Sequence, residues 1–233
     1  RSRGLGDVYK RQNMGEVYFV SGTGTGVGKT YATGFLARKW GKKNRVITQK
    51  LIETGCPPGQ SADVTLHRKI MGIAPTIFDH EGVTHPLVYP LAASPHLASE
   101  AVSETVDLAK IHAATVCLQK NFDVVLVEGA GGLMVPLRRD YLTLDYIKDH
   151  AYPVILVVAG ALGELNAALL SLEILKSRAL SLFALVFNRG IGSDQRILAD
   201  NCAYLKNYLI TYPGQPRFIE LPAFTEESFN FIG

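Results

Sequence analysis

The stretch that decides the fold is SGTGTGVGKT, residues 21–30. From Gly22 to Thr30 it has the form G-x-x-x-x-x-G-K-T, one residue longer than the common phosphate loop. Glycines let backbone N–H groups turn towards phosphate oxygens, and a following helix adds its positive N-terminus. Lys29 can reach the outer phosphates, and the Thr30 hydroxyl can bind Mg²⁺. The alternative is a glycine-rich turn without a ligand, but a strand pattern before the loop and a helical pattern after it favour the phosphate loop.

Outward from this loop, apolar runs alternate with helical patterns. The predicted strands are Val17–Val20, Val46–Gln49, Val124–Val127, Val154–Val158, Leu182–Phe187 and Phe218–Leu221. The predicted helices are Lys29–Trp40, Ser61–Met71, Glu104–Lys120 and about 163–178 and 194–208. Residues 84–96 contain three prolines and are predicted to be largely loop or edge structure. Continuous apolar strands alternating with helices predict a single α/β domain, a three-layer arrangement with a parallel sheet covered on both faces.

The composition is that of a globular protein and excludes a disordered or collagenous chain. Of 233 residues, 47% are hydrophobic and 19% charged. The longest uncharged apolar run, residues 151–163, is too short to span a bilayer and predicts a buried strand that runs into a turn. Three cysteines without metal-ligand spacing (Cys56, Cys117 and Cys202) indicate a reducing, cytoplasmic compartment.

The first thirteen residues differ from the rest of the chain. They carry four basic residues against Asp7, a net charge of +3 that equals the charge of the whole chain. Residues 14–233 are therefore neutral overall, which argues against a nucleic-acid or membrane partner. We expect residues 1–13 to be a non-native or disordered leader and residues 14–233 to be one phosphate-loop domain; a natural basic arm is the alternative.

Three charged residues lie where ligand groups are kept in open α/β sheets. Glu128 follows the buried run of residues 124–127 and precedes a glycine-rich turn, a position suited to holding a metal. Asp63 begins a predicted helix, where it is equally suited to cap the helix or to bind a metal. Lys50 ends the second strand, at the same edge of the sheet as the phosphate loop, where a lysine could bind an anion. The alternative is a solvated lysine at the end of a strand.

Several separated motifs occur in one order and carry a family resemblance. They are residues 20–30, Lys50 with Thr54-Gly55, Ala62-Asp63, Ser94-Pro95-His96, residues 127–132, Leu162-Gly163 with Asn166, Asn188 and Glu220-Leu221-Pro222. From Met14 to about Thr225 the chain resembles the dethiobiotin synthetases, ATP-dependent ligases of biotin synthesis. The resemblance implies a mostly parallel sheet of about seven strands and a homodimer with active sites at the subunit interface.

The implied reaction joins 7,8-diaminononanoate and CO₂ with MgATP to give dethiobiotin, ADP and phosphate. It proceeds through a carbamate and a carbamic–phosphoric anhydride, and the second amine closes the ureido ring. The resemblance implies that the catalytic residues are Lys29, Lys50, Thr25 and Thr54. It implies nucleotide contacts from Gly24, Gly26, Val27, Gly28, Lys29, Thr30, Asn188 and Pro222, and metal ligands Thr30, Asp63 and Glu128. The substrate residues it implies are Lys50, Thr54, Gly131, Gly163, Glu164, Leu165 and Asn166, the last four contributed across the dimer.

Some positions depart from the family pattern, and two other classes of function are alternatives. Gly24 and Gly26 stand where relatives often carry acids, and Leu51, Thr54 and Ala161 also differ. One alternative is a switch ATPase of the partitioning or metal-delivery type. Such proteins usually carry a second lysine near the loop start, and residues 21–25 contain none. A nucleotide-binding module of a larger ligase or amidotransferase and a non-enzymatic remnant agree less well with the full set of motifs.

Overall fold

The fold is organised around one sheet in a computed structural model that describes residues 14–192 and 194–223. In chain order the elements are β1 (Glu16–Gly22), α1 (Lys29–Gly41), β2 (Val46–Lys50), β3 (Glu53–Thr54), α2 (Ala62–Met71), α3 (Ile77–His80), β4 (Val88–Tyr89), α4 (Pro95–Glu100), α5 (Leu108–Asn121), β5 (Val124–Gly132), β6 (Pro136–Arg138), β7 (Tyr141–Leu142), α6 (Thr143–Asp149), β8 (Val154–Ala159), α7 (Glu164–Ser177), β9 (Leu182–Asn188), α8 (Gln195–Ile210) and β10 (Arg217–Leu221). The expected leader, residues 1–13, lies outside the described residues.

Six strands form the central sheet in the order β10-β9-β8-β1-β5-β2. Every neighbouring pair is parallel, which confirms the predicted α/β architecture. The expected number of about seven strands is wrong for the described residues. The short strands β3 and β4 pair with each other, and β6 and β7 form a small antiparallel ribbon, so none of these four joins the central sheet.

The core lies on both faces of the sheet because successive strand residues point to opposite sides. Phe19 belongs to the core on one face and Val20 to the core on the other. Helix α1 covers the Val20 face with Ala32 and Leu36, while α5, α7 and α8 contribute to the Phe19 face. The predicted three-layer arrangement is therefore confirmed.

Most predicted elements are present, and the differences occur at ends and in short segments. The helix predicted from Glu104 begins at Leu108, because the Asp107 side chain caps it by accepting the Lys110 N–H at 2.9 Å. Pro95, the last proline of the predicted loop, is in the first turn of α4, where a missing N–H costs nothing. The seven-residue helix α6 was not predicted, since two turns give little periodicity. None of the helices in the described ranges combines the length and apolar character that a membrane crossing requires.

Candidate active site

The loop between β1 and α1 has the backbone conformation of an anion site. Gly26 and Gly28 have φ values of 78° and 92°, in the left-handed region that favours glycine. Gly28 is the N-cap of α1 and no side chain caps the helix, so the N–H groups of its first turn can bind an anion. Lys29 is buried, and its Nζ donates to the Gly24 carbonyl at 2.7 Å. The predicted phosphate-binding lysine therefore lies against the loop backbone.

Replacing Gly28 by alanine should disrupt this loop. The added Cβ would lie 2.2 Å from Asn188 Nδ2, and the positive φ strains alanine. We expect stability to fall by roughly 1–3 kcal/mol and nucleotide binding to be lost, measured by thermal denaturation and titration with a fluorescent nucleotide. Gly41→Ala is the matched control, because a Cβ at Gly41 meets no atom within 4 Å. Wild-type binding by Gly28→Ala would contradict the contact with Asn188.

Two side-chain hydrogen bonds connect the phosphate loop to the second half of the chain. Asn188 at the end of β9 donates from Nδ2 to the Val27 carbonyl at 3.1 Å, and its Oδ1 accepts the Gly190 N–H. On the other side of the loop, the Thr23 hydroxyl donates to Glu164 at 2.6 Å. The shape of the loop therefore depends on β9 and on the first residue of α7.

Two carboxylates and a lysine meet where β2 ends beside the middle of β5 and the start of α2. Lys50 ends β2 in register with Glu128 of β5, and its Nζ lies 2.9 Å from Glu128 Oε1. Lys50 also forms an ion pair with Asp63 of α2. The Thr30 hydroxyl lies 2.9 Å from Asp63 Oδ1 and 3.2 Å from Glu128 Oε1. Thr30, Asp63 and Glu128, predicted as metal ligands, thus converge on one point.

Mutual attraction keeps the buried pair of Lys50 and Glu128 ionised. Burial acts to raise the pKa of the Glu128 carboxyl, but Lys50 and His67 outweigh it and hold this pKa well below its usual range. Burial acts in the opposite direction on Lys50, where Glu128 and Asp63 outweigh it and raise the pKa of the ammonium group. Burial also lowers the pKa of Lys29 to about 8. Lys29 is therefore the less compensated cation, suited to an incoming anion.

The oxygen atoms around Thr30 fit a magnesium ion. A hydroxyl and two carboxylates are hard oxygen donors, and Mg²⁺ is usually bound by one or two carboxylates together with substrate phosphates. Within residues 14–192 and 194–223, no group of three or more His, Cys, Asp or Glu could hold a metal. The donor set therefore suits a metal that arrives with phosphates better than a permanently bound one.

These groups line a single cavity of about 750 Å³. Its lining also includes other predicted residues: Thr25, Gly26, Gly28, Thr54 and Gly131. A neighbouring cavity of about 800 Å³ shares Thr25 and Gly131 and extends to Met134 and Leu170. The predicted metal ligands, the carbamate residues and most of the phosphate loop therefore surround the same space, whereas Gly24 lines only the neighbouring cavity and Val27 lines neither.

The predicted residues at the start of α7 do not line this cavity. Gly163 is the N-cap of the helix, with a φ of 89°, and Glu164 is its first residue. The Glu164 carboxylate accepts a hydrogen bond from the Thr23 hydroxyl, and the Glu164 N–H donates to the Ala161 carbonyl at 3.3 Å, so both polar groups of Glu164 already have partners. The expected contacts of Gly163, Glu164, Leu165 and Asn166 lie across a dimer and stay a prediction. The same holds for Pro222, which directly follows β10.

Sequence reasoning missed two buried groups beside the site. His67 of α2 lies 2.8 Å from Glu128 Oε2 through its Nε2 atom. Glu53 of β3 accepts hydrogen bonds from the Ser61 hydroxyl and from the Asp63 N–H, and burial raises the pKa of its carboxyl. His67 follows Asp63 by four residues and so shares its helix face. A single histidine at that spacing is a weak signal without the tertiary structure.

Comparison with known proteins agrees with this architecture. A family profile described as an AAA domain matches residues 16–210. A putative plasmid partition protein from Borrelia burgdorferi B31 bound to AMPPNP superposes with a TM-score of 0.55 and 15% identity, covering 92% of this chain and 89% of that one. A Cyanothece McdA variant in complex with ATP superposes with a TM-score of 0.52 and 15% identity, covering 94% of this chain and 86% of that one. At such low identity these likenesses show the fold alone.

The parallel sheet, the phosphate loop after its first strand and the acidic residue on the adjacent strand define a phosphate-loop NTPase. Curated relatives include ATP-dependent dethiobiotin synthetase BioD 2 of Pasteurella multocida, which is 44% identical over 85% of this chain and 93% of that protein. BioD of Chlorobaculum tepidum is 44% identical over 83% of both chains. BioD 2 of Haemophilus influenzae is 46% identical over 75% of this chain and 92% of that protein. The chain belongs to the dethiobiotin synthetase family.

Proposed function

We propose that this chain is an ATP-dependent dethiobiotin synthetase, a ligase that converts 7,8-diaminononanoate, CO₂ and MgATP to dethiobiotin, ADP and phosphate. The observation that carries the proposal is the convergence of Lys50 with Thr30, Asp63 and Glu128 in the cavity beside the phosphate loop. The relatives named ATP-dependent dethiobiotin synthetase, 44% identical over most of the chain, support it.

The phosphate loop would bind the triphosphate of ATP. Lys29 exchanges the Gly24 carbonyl for phosphate oxygens and neutralises charge on the transferred phosphoryl group. Thr30, Asp63 and Glu128 would hold Mg²⁺, which when bound supplies further charge neutralisation on the phosphates. The backbone N–H groups that would contact the phosphates belong to Gly24, Gly26, Val27, Gly28, Lys29 and Thr30.

Asn188 and the backbone at Pro222 are our candidates for the adenine contacts. Asn188 ends β9 and borders the loop through Val27. Pro222 follows β10, whose last residue is in register with Asn188. Their position at the same edge of the sheet as the loop supports the assignment, since ligands of open α/β sheets bind at the carboxyl ends of the strands.

Lys50 would stabilise the anionic carbamate. One amine of the diamine adds to CO₂, forming a C–N bond and releasing a proton. A carbamate oxygen then attacks the γ-phosphorus, and the bond to the ADP oxygen breaks. The second amine attacks the carbonyl carbon, loses a proton, closes the ureido ring and expels phosphate. Thr25 and Thr54 line the cavity and offer hydroxyls to the diamine and the carbamate, with Gly131 forming part of its wall.

We further propose a homodimer in which the start of α7 binds the substrate carboxylate at the partner's cavity. Free backbone N–H groups at a helix N-terminus favour a carboxylate. Large apolar side chains are exposed beside this region: Leu162 is 84%, Leu170 64% and Met134 50% exposed. Leu170 and Met134 line the cavity that adjoins the site, so a second copy covering them would complete it.

We also propose that residues 14–233 form a single catalytic domain and act in the cytoplasm. The two core clusters that face opposite sides of one sheet support a single domain. The three cysteines carry free thiols, as a reducing compartment favours.

Phosphate release with and without the diamine tests the proposed function. The purified protein with MgATP and bicarbonate should release phosphate only when 7,8-diaminononanoate is added. Mass spectrometry should then detect dethiobiotin, and omission of bicarbonate should stop turnover. Turnover that is independent of the diamine would instead favour a switch ATPase of the partitioning or metal-delivery type.

A further inference from the structure

His67 is a buried histidine in contact with the acidic side of the site. Its side chain is fully buried on α2, and its Nε2 lies 2.8 Å from Glu128 Oε2. Because a carboxylate oxygen accepts hydrogen bonds, Nε2 must carry the hydrogen. In the part of the chain that the structure describes, His67 Nδ1 has no hydrogen-bond partner. Of the two ring nitrogens, only Nε2 therefore makes a hydrogen bond, and its partner is Glu128.

The two oxygens of Glu128 have separate partners. His67 binds Oε2, while Lys50 Nζ and the Thr30 hydroxyl bind Oε1 at 2.9 and 3.2 Å. A carboxylate held at one oxygen by a buried donor loses its freedom to rotate. The other oxygen, Oε1, is thereby directed to the point where Thr30 and Asp63 converge.

We infer that His67 is a positioning residue that fixes Glu128 for the metal–nucleotide complex. This inference rests on the proposed function, in which Glu128 is a ligand of Mg²⁺. Asp63 and His67 lie four residues apart on one face of α2, so a single helix supplies a candidate ligand and the support of another. Hydrogen-bond partners of this kind orient ligands and strengthen metal binding.

Metal affinity in the presence of nucleotide tests the inference independently of turnover. Mn²⁺ binding to the protein with a non-hydrolysable ATP analogue can be followed by electron paramagnetic resonance. His67→Leu should weaken Mn²⁺ binding about 10–100-fold, while metal-free binding of the analogue changes little. His67→Gln keeps an N–H donor of similar reach and should recover most of the affinity. Unchanged Mn²⁺ affinity in a folded His67→Leu protein would overturn the inference.

A matched control separates this role from the loss of a buried histidine. His85 is also buried, but its ring hydrogen bonds go to Thr84 and the Gly59 carbonyl. His85→Leu should leave Mn²⁺ affinity unchanged; an equal loss in both variants would overturn the inference. If diamine-dependent turnover is absent but His67→Leu still weakens Mn²⁺ binding, the proposed function fails and the positioning role stands.

A measurement on the wild-type protein covers the case in which the leucine variant does not fold. Nitrogen-15 NMR of labelled histidine reports which ring nitrogen carries the hydrogen. The His67 ring should be protonated at Nε2, both before and after the metal and the ATP analogue bind. Protonation of His67 at Nδ1 alone would overturn the inference.

Discussion

Replacing Lys50 by glutamine should reduce dethiobiotin formation by at least about 10²–10³-fold while nucleotide binding is retained. The ammonium group lies beside Glu128 and Asp63 and outside the phosphate loop, so its loss affects the carbamate more than the triphosphate. Phosphate release with the diamine and titration with a fluorescent ATP analogue measure the two effects separately. Full turnover by this variant would show that the carbamate role of Lys50 is wrong.

The same substitution should also destabilise the protein. Glu128 is 1% exposed, and without Lys50 it lies next to a second carboxylate with no strong cation between them. Removing one member of a buried ion pair costs roughly 3–5 kcal/mol. Added Mg²⁺ should recover part of this loss, because a cation that binds only the folded protein stabilises it. Thermal denaturation with and without Mg²⁺ measures the effect, and exposed Lys43→Gln is the control that should match wild type.

Replacing Lys29 by glutamine should abolish ATP turnover, with a loss of about 10²–10³-fold or more, and weaken nucleotide binding. The reason is that Lys29 is the cation of the phosphate loop, free to exchange the Gly24 carbonyl for a phosphate. Steady-state phosphate release and nucleotide titration measure both effects. Retained turnover would contradict the proposed role in phosphoryl transfer.

The effect of Lys29→Gln on stability should be opposite to that of Lys50→Gln. Burial lowers the pKa of Lys29 to about 8, so the fold disfavours its charged form. A neutral glutamine removes that cost and leaves no carboxylate unpaired in contact with it. We expect the melting temperature to stay equal or rise, measured at neutral pH, where Lys29 is charged. A fall as large as that of Lys50→Gln would contradict this account.

Most of the site can be predicted from the sequence, because most site residues lie at or after strands of a parallel sheet. Such strands end at the same edge of the sheet. Lys50 ends the predicted second strand, Glu128 follows the apolar run 124–127, and parallel pairing of β2 with β5 brings the two into register. Thr30 and Lys29 follow from the spacing of the loop. The number of central strands, by contrast, depends on whether short segments such as β3 and β6 join the sheet, which local pattern does not determine.

Contacts between distant elements are what the sequence could not provide. The hydrogen bond from His67 to Glu128 and that from Thr23 to Glu164 join residues with no local relation. The position of Glu164 at the start of a helix predicts a backbone contact with a substrate carboxylate, but nothing local indicates that its side chain accepts a hydrogen bond from Thr23. Such pairings depend on how the helices pack against the sheet, which helical periodicity alone does not determine.

Gly24 and Gly26, which stand where family members often carry acids, leave open space beside the loop. A Cβ at either position would meet no atom within 4 Å, so packing does not explain the missing acids; at Gly26 the φ of 78° favours glycine, whereas nothing in the structure explains Gly24. Likeness to partition proteins in fold does not extend to function, because a shared fold supports many chemistries. The site residues, Lys50 above all, carry the functional conclusion.

The two hydrogen bonds that hold the phosphate loop also determine when, during synthesis of the chain, the loop can take its ATP-binding shape. Thr23 and Val27 lie 141 and 161 residues ahead of their partners, Glu164 and Asn188. At a translation rate of roughly 5–20 residues per second, the loop leaves the ribosome many seconds before either partner. A nascent chain that ends before β9 therefore carries the whole motif without its final shape, and competence to bind ATP arrives late, together with the second half of the sheet.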